Sequence, residues 1–391
     1  MEIDMDFNLP KDLQMLQKTV REFANKKIAP YVDEWDAEHY LPIEEVIKPM
    51  GELGYFGAVI PEEYGGEDMG WMAAVLITEE IARVSSSLRV QYNLVSIGTA
   101  YPIYLYGTEE AKKKYVPQLC SADLIGAFAI TEPNAGSDVL AIETQAEDMG
   151  DHYVLNGSKN WISNANQADV AIIYAYTDKS KKSKGLSAFV VELKNFNGIQ
   201  TTDLSKMGSH SSPTGEIFFN NTKVPKENLL GQPGDGAKIV FSSLANTRVS
   251  AAAGALGSAE ACYDLAVKYC NEREQFGQPI GKYQMIQDMI AQMATEIEAA
   301  RYLVYKAAWQ KDQKKTNNGL EVAQAKYFAG EVAMKCANYA LRILGAYGYS
   351  TEYKIDRYYR DIPTYVIVEG SANICKMIIA MDQLGYKKAN R

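Results

Sequence analysis

The stretch YVIVEGSANI, residues 365–374, sets one carboxylate, Glu369, at the end of a β-branched apolar run and directly before a glycine. Val366, Ile367 and Val368 stiffen the approach, Gly370 permits an unusual backbone angle, and Ser371 is placed to cap the helix that ANICKMIIAMDQL predicts. An ionised glutamate at such a joint, in apolar surroundings, loses solvation and moves toward the range useful to a general base. The plainer alternative is an acid that complements the positive end of the following helix. Neither zinc nor a disulfide frame competes for the chemistry. The five cysteines are scattered and never spaced CxxC, and the chain has only three histidines.

Three further stretches carry suitable residue types. In AFAITEPNAGSD, residues 127–138, an apolar strand runs into a loop whose backbone donors and hydroxyls suit a phosphate-bearing ligand. In NWISNA, residues 160–165, a tryptophan beside small polar residues serves either as core packing or as a wall for a flat aromatic ligand. In NEREQFGQPIGKYQMIQ, residues 271–287, Arg273 follows a helix end and offers either a fork of donors for phosphate or a helix cap. The glycines of VSAAAGALGSAEA do not form a dinucleotide loop. No strand precedes them and the GxGxxG spacing is absent, so small residues there predict close approach of a second helix.

These sites need elements to hold them. The chain has 391 residues, 47% of them hydrophobic, enough for two or three domains. Residues 11–122 repeat apolar residues at three- and four-residue steps and predict helices. From 123 to 230 the period is two, in YVLNG, VAIIYAY, LSAFVVEL and EIFFN, which predicts a small β-barrel or sandwich. Helical periodicity returns around 236–272, 283–312, 319–347 and 371–384, the pattern of a four-helix bundle. The expected fold is α+β and mostly α, with domains at 1–122, 123–230 and 231–391.

A net charge of -9 argues against nucleic acid and anionic membrane surfaces, and the basic block KSKKSK reads as a solvated turn. No apolar run of about 18 residues suggests a membrane span, and MEIDMDF lacks the basic region of a signal peptide, so a cytoplasmic location is expected.

Taken together, FAITEPNAGSD, WISNA, NTRVSAAAGALGSA, REQFGQPIGKYQMIQ, LRILGAYGYSTEY and VEGSANI make the chain resemble the acyl-CoA dehydrogenase family over essentially its whole length. The resemblance implies FAD, an acyl-CoA substrate, a homotetramer and an electron-transferring flavoprotein as acceptor. Glu369 matches the family's base, which takes the α-proton of the acyl thioester while the β-hydrogen leaves as hydride; its backbone amide, with a flavin hydroxyl, would hold the thioester carbonyl. Phe128, Ile130 and Thr131 match the segment along the flavin ring, and Trp161 and Ser163 the strand that flanks it. Gly136 and Ser137 match contacts to the nucleotide portion of FAD or CoA. Arg273, Phe276 and Gln284 match FAD contacts made across a dimer interface, joined by Arg342 and Gly345. Ser371 and Asn373 stand where the family usually has Thr and Gln, and Arg342 replaces a common Gln. Arg248 matches an arginine near the CoA channel.

The stretch SSSLRVQYNLVSIGTAYPIYLYG, residues 85–107, resembles the glutaryl-CoA dehydrogenase subgroup, in which the arginine matching Arg89 grips the distal carboxylate of a dicarboxylic acyl chain. A buried guanidinium is costly without an anionic partner, which such a substrate supplies. The alternative is an exposed helix arginine paired with Glu79 or Glu80 or left in water. Val368 stands where the family, the decarboxylating glutaryl enzymes included, generally has tyrosine, and Val90 where those enzymes tend to have serine. Both changes remove hydroxyls beside the distal carboxylate, so the expected reaction takes glutaryl-CoA to glutaconyl-CoA without decarboxylation. A decarboxylating enzyme, a dehydrogenase of another short or cyclic acyl-CoA, an acyl-CoA oxidase and a cofactor-free helical scaffold are the rival readings.

Overall fold

The computed structural model describes residues 8–314 and 318–386. Helices fill the N-terminal part, beginning with Lys11–Phe23, whose Val20 and Phe23 face the core. The helix Gly70–Val84 is almost wholly buried. Ser85 caps the next helix, Ser86–Tyr92, accepting from the Leu88 N–H at 3.2 Å. That helix runs without interruption into a wider π-helical segment, Asn93–Ala100, and then Tyr101–Tyr106. Widened turns of this kind concentrate where a helix must re-aim side chains at a site.

The middle part is one mixed sheet of eight strands: β1 Gly126–Ala129, β2 Gln145–Asp148, β3 His152–Ser163, β4 Val170–Tyr176, β5 Leu186–Glu192, β6 Ile199–Asp203, β7 Thr214–Pro225 and β8 Leu229–Leu230. The order is β6-β7-β3-β2-β4-β5-β8, with β1 alongside β4 in parallel. β4 is buried along its full length because it is covered on both faces. Ile172 and Tyr174 face the helices, whereas Ala171, Ile173 and Ala175 face a second core shared with Tyr153, Leu155, Phe189, Ile217 and Phe219. The sheet thus folds over a core of its own. Among the described strands β6 and β8 remain as edges, so it is not a closed barrel. The KSKKSK block forms short 3-10 turns across Lys179–Gly185.

Four helices follow, Gly236–Glu272, Gln284–Asp312, Gly319–Leu344 and Ala372–Gln383. The first carries the small-residue stripe. A Cβ on Gly257 would meet the Glu79 carbonyl oxygen at 2.1 Å, so glycine lets the helix Gly70–Val84 pack backbone to backbone. The start of the helix Gly70–Val84 is fastened to the helix Gln284–Asp312: Asp312 accepts from the free N–H groups of Trp71 at 2.6 Å and Met72 at 3.0 Å. Among the described residues one stretch, Ile355–Gln383, has the length and composition of a membrane span. In the fold it is broken into Ile355–Asp361, Thr364–Ile367 and Ala372–Gln383, and the last break carries Glu369.

Candidate active site

Glu369 occupies the turn between Thr364–Ile367 and Ala372–Gln383 with φ 57°, and Gly370 follows at φ 78°. A left-handed backbone costs a non-glycine residue about 1–2 kcal/mol, and it persists only where neighbours over-determine it. They do so here. The Arg248 Nε donates to the Glu369 carbonyl at 2.8 Å, the Lys326 Nζ donates to the Gly370 carbonyl at 2.7 Å, and Ser371 caps the following helix through the Ile374 N–H at 3.4 Å. Gly370 must stay small, since a Cβ there would approach the Arg248 guanidinium at 2.7 Å.

The Glu369 carboxylate is half-buried and held at both oxygens. Asn93 Nδ2 donates to Oε1 at 3.1 Å, and the Thr247 hydroxyl donates to Oε2. The expectation of an acid in purely apolar surroundings is therefore corrected: the helix Gly236–Glu272 and the π-helical segment each bring a polar donor to it. Its own backbone N–H has no hydrogen-bond partner among the described residues and is free to bind a ligand oxygen.

Arg89 lies one helical turn before Asn93, on the same side of the chain, a rise of about 6 Å. It is only 2% exposed. Its guanidinium stacks on the Tyr365 ring, 4.9 Å from the centroid, and its buried Nε has no hydrogen-bond partner. Among the described residues no carboxylate pairs with it. Glu80 instead receives two hydrogen bonds from Arg21, at 2.6 and 2.7 Å, and Glu79 accepts from the Tyr305 hydroxyl at 3.0 Å. The exposed, Glu-paired arginine is thereby excluded. Space for the guanidinium exists because residue 254 is glycine; a Cβ would lie 2.7 Å from Arg89 Nε. The Tyr365 hydroxyl accepts from Ser86 at 2.9 Å and lies 3.2 Å from the Ser258 hydroxyl, which fixes the ring. Val90, beside Arg89, is partly buried, and Val368, beside Glu369, is partly exposed; both present only methyl groups.

A second group gathers at the end of β1. Phe128 meets Tyr174 edge-on at 5.6 Å and packs against Gly98 of the π-helical segment. Ile130 is buried and its carbonyl accepts from Lys159 Nζ at 3.2 Å. The Asn160 N–H bonds to the Thr131 carbonyl at 2.8 Å, which sets Trp161 and Ser163 of β3 next to the β1 loop. Trp161 takes φ 58° and is 59% exposed, an apolar wall that the described residues leave largely uncovered. Asn164, also left-handed at φ 65°, exchanges two amide hydrogen bonds with Gln91, at 2.7 and 2.9 Å, and donates to the Gly126 carbonyl at 3.1 Å. That pair locks the Arg89 helix to the strands carrying Phe128 and Trp161. Gly136 and Ser137 sit in the exposed loop that follows, with open space around Gly136.

A third group lies on the bundle. Arg273 closes the helix Gly236–Glu272 through its backbone and rests its exposed side chain over Tyr347 at 5.7 Å. Phe276 is 95% exposed at a turn with φ 51°. Gln284 and Arg342 line one groove of about 340 Å³ with Met285, Asp288, Met289 and Tyr339. Gly345, which follows the helix Gly319–Leu344, is exposed with open space around it, and Asn373 is exposed in the first turn of the helix Ala372–Gln383. Among the described residues no hydrogen bond, ion pair or ring contact joins this group to Thr131 or Trp161. Sequence reading missed Asn93, Thr247, Gln91, Asn164, Lys326 and Tyr365. All but Lys326 lie in stretches quoted above, and none has a motif that marks its role.

An uncovered tryptophan face, a donor-rich loop and exposed guanidinium and amide groups fit a flat aromatic dinucleotide. The chain belongs to the acyl-CoA dehydrogenase family, whose N-terminal, middle and C-terminal domains match residues 10–123, 127–222 and 234–384. Members of that family are FAD-binding flavoproteins. The chain is 68% identical to the glutaryl-CoA dehydrogenase of Desulfococcus multivorans, over 99% of its own length and 100% of that protein. Its fold superimposes with a TM-score of 0.97, at 68% identity, on a glutaryl-coenzyme A dehydrogenase solved as a glutaryl-CoA complex, covering 99% of this chain and 98% of that one. A structure described as the electron transferring flavoprotein of Acidaminococcus fermentans matches at 43% identity and a TM-score of 0.95, over 97% of this chain and all of that one.

Proposed function

We propose that the protein dehydrogenates glutaryl-CoA to glutaconyl-CoA and releases that product without decarboxylation. The observation that carries the reading is Arg89: a buried guanidinium with no carboxylate partner among the described residues, its Nε unpaired, one turn from the residue that holds Glu369. An uncompensated buried charge is strongly unfavourable, and a substrate carboxylate at that place supplies the missing partner in bidentate geometry. The 68% identity to a glutaryl-CoA dehydrogenase supports the same substrate.

Glu369 would take the α-proton. Asn93 and Thr247 orient its two oxygens, and the free Glu369 N–H would donate to the thioester oxygen as charge develops there. Substrate binding would complete the drying of a carboxylate that the free chain leaves half-exposed. FAD, held along Phe128–Thr131 and Trp161, with Ser137, Arg273, Gln284 and Arg342 as polar contacts, would supply a hydride acceptor for the β-hydrogen. The exposed Phe276 and Met285 support a cofactor site completed by a second copy of the chain in a tetramer. The reading includes an electron-transferring flavoprotein as the acceptor and the cytoplasm as the location.

Decarboxylation after dehydrogenation needs groups that turn the distal carboxylate and return a proton to the resulting carbanion. Val90 and Val368, next in sequence to Arg89 and Glu369, contribute only methyl groups, which supports a reaction that stops at glutaconyl-CoA. Purified protein is incubated with glutaryl-CoA and an artificial electron acceptor, and the thioester product and carbon dioxide are quantified. Glutaconyl-CoA without carbon dioxide is expected; crotonyl-CoA with stoichiometric carbon dioxide refutes the proposal.

A further inference from the structure

Lys326, in the helix Gly319–Leu344, is 1% exposed, and no carboxylate among the described residues pairs with it. Its Nζ reaches the Gly370 carbonyl at 2.7 Å, one peptide beyond the carbonyl that Arg248 holds at 2.8 Å. A chain seldom buries an ammonium group to satisfy a single carbonyl, because the desolvation outweighs one neutral acceptor. Here the carbonyl belongs to the left-handed turn that carries Glu369. We propose that Lys326 is a positioning residue for the base: its charged amine and Arg248 grip two successive carbonyls, and this double hold fixes the turn from which the Glu369 carboxylate and N–H face the acyl group.

The inference rests on the reading of Glu369 as the base. The groups that face the amine are Glu369 on the turn, Arg248 on the helix Gly236–Glu272, Cys375 on the helix Ala372–Gln383, and Glu331 on its own helix. Burial is the largest influence and lowers the amine to about 8, with Cys375, Glu369 and Glu331 opposing and Arg248 adding to it. The hold therefore weakens as the amine loses its proton, and turnover should fall on the alkaline side near that value.

The experiment compares wild type, Lys326→Met and Lys326→Arg, each loaded with FAD, with glutaryl-CoA from about pH 6 to pH 10. In Lys326→Met, kcat near neutrality should drop roughly tenfold or more with KM little changed, the size expected for loss of a charged hydrogen bond. Lys326→Arg should restore most of kcat and carry the alkaline limb beyond about pH 10, since guanidinium does not titrate there. Unchanged kcat in Lys326→Met, or a limb still near pH 8 in Lys326→Arg, overturns the proposal. Melting of the ligand-free proteins gives a reading independent of turnover. An amine lowered from 10.5 to about 8 makes wild type gain stability as pH rises through that interval. The melting difference, Lys326→Met minus wild type, should shrink over the same interval, and a flat difference counts against the proposal. If Glu369→Gln turns over normally, the base assignment itself has failed; if it is inactive while Lys326→Met keeps the wild-type profile, only this inference has.

Discussion

Replacing Arg89 with methionine keeps an unbranched stem, respects the contact with Gly254 and removes the charge. Breaking one side of a buried, hydrogen-bonded charge pair costs about 2–5 kcal/mol. At about 1.36 kcal/mol per factor of ten, that is roughly a 30- to 5,000-fold loss in kcat/KM for glutaryl-CoA. Butyryl-CoA lacks the distal carboxylate and ends in the methyl group one carbon short of it, so the same substitution gives it an apolar neighbour in place of an unpaired cation. Its kcat/KM should hold steady or rise. The ratio of the two substrates is the readout, because a general packing defect lowers both together. The free protein offers a second check. Wild type buries a guanidinium with an unsatisfied Nε, and replacing uncompensated buried charge with an apolar group of similar size is neutral to stabilising by about 1–4 kcal/mol. Ligand-free Arg89→Met should therefore melt no lower than wild type, while glutaryl-CoA should no longer raise its melting temperature. If the substrate ratio changes less than about threefold, Arg89 does not read the distal carboxylate and the substrate assignment falls with it.

Other substitutions test other links. Glu369→Gln keeps an acceptor for Asn93 and gives the Thr247 hydroxyl an N–H to accept from, but cannot take a proton; turnover should fall by about 10²- to 10⁴-fold with FAD content and acyl-CoA binding retained, measured by visible absorbance and titration. Gly257→Ala drives a methyl into the Glu79 carbonyl at 2.1 Å, so the two helices must separate; a destabilisation of about 1–3 kcal/mol in denaturant unfolding is expected. Asp361 is fully buried, and burial raises its carboxyl from 3.8 to about 6. A raised carboxyl favours the fold below pH 3.8, and that advantage is lost as pH rises through about 6. Asp361→Asn keeps an acceptor for the Ser209 N–H, bonded at 2.6 Å, so its stability relative to wild type should climb by up to about 3 kcal/mol across that interval; pH-dependent melting curves that stay parallel contradict this.

Much of the architecture is local in origin. The helices Gly236–Glu272, Gln284–Asp312, Gly319–Leu344 and Ala372–Gln383 fall almost where their periodicity places them, because each has an apolar face that only a helix can align. Strands β3, β4, β5 and β7 coincide with alternating or continuous apolar runs for the same reason. Ser371 caps its helix as its position before ANICK suggests. The order of strands, by contrast, was not legible: β2 lies between β3 and β4, β1 joins β4 in parallel, and nothing in the spacing of short apolar runs encodes that pairing.

The site divides in the same way. The residue types alone mark Glu369 as an acid at a joint, Arg89 as a cation among apolar neighbours, and Trp161 as an aromatic in a polar setting, because each violates the pattern around it. What no linear reading could decide is that Asn93 and Thr247 meet on Glu369 from 276 and 122 residues away. Nor could it show that Arg89 finds a tyrosine face in place of Glu79 or Glu80, or that Lys326 ends on the Gly370 carbonyl. Those partners are chosen by how helices pack across small residues such as Gly254 and Gly257. Packing depends on distances between segments far apart in the chain, whereas periodicity and propensity describe each segment only with respect to itself.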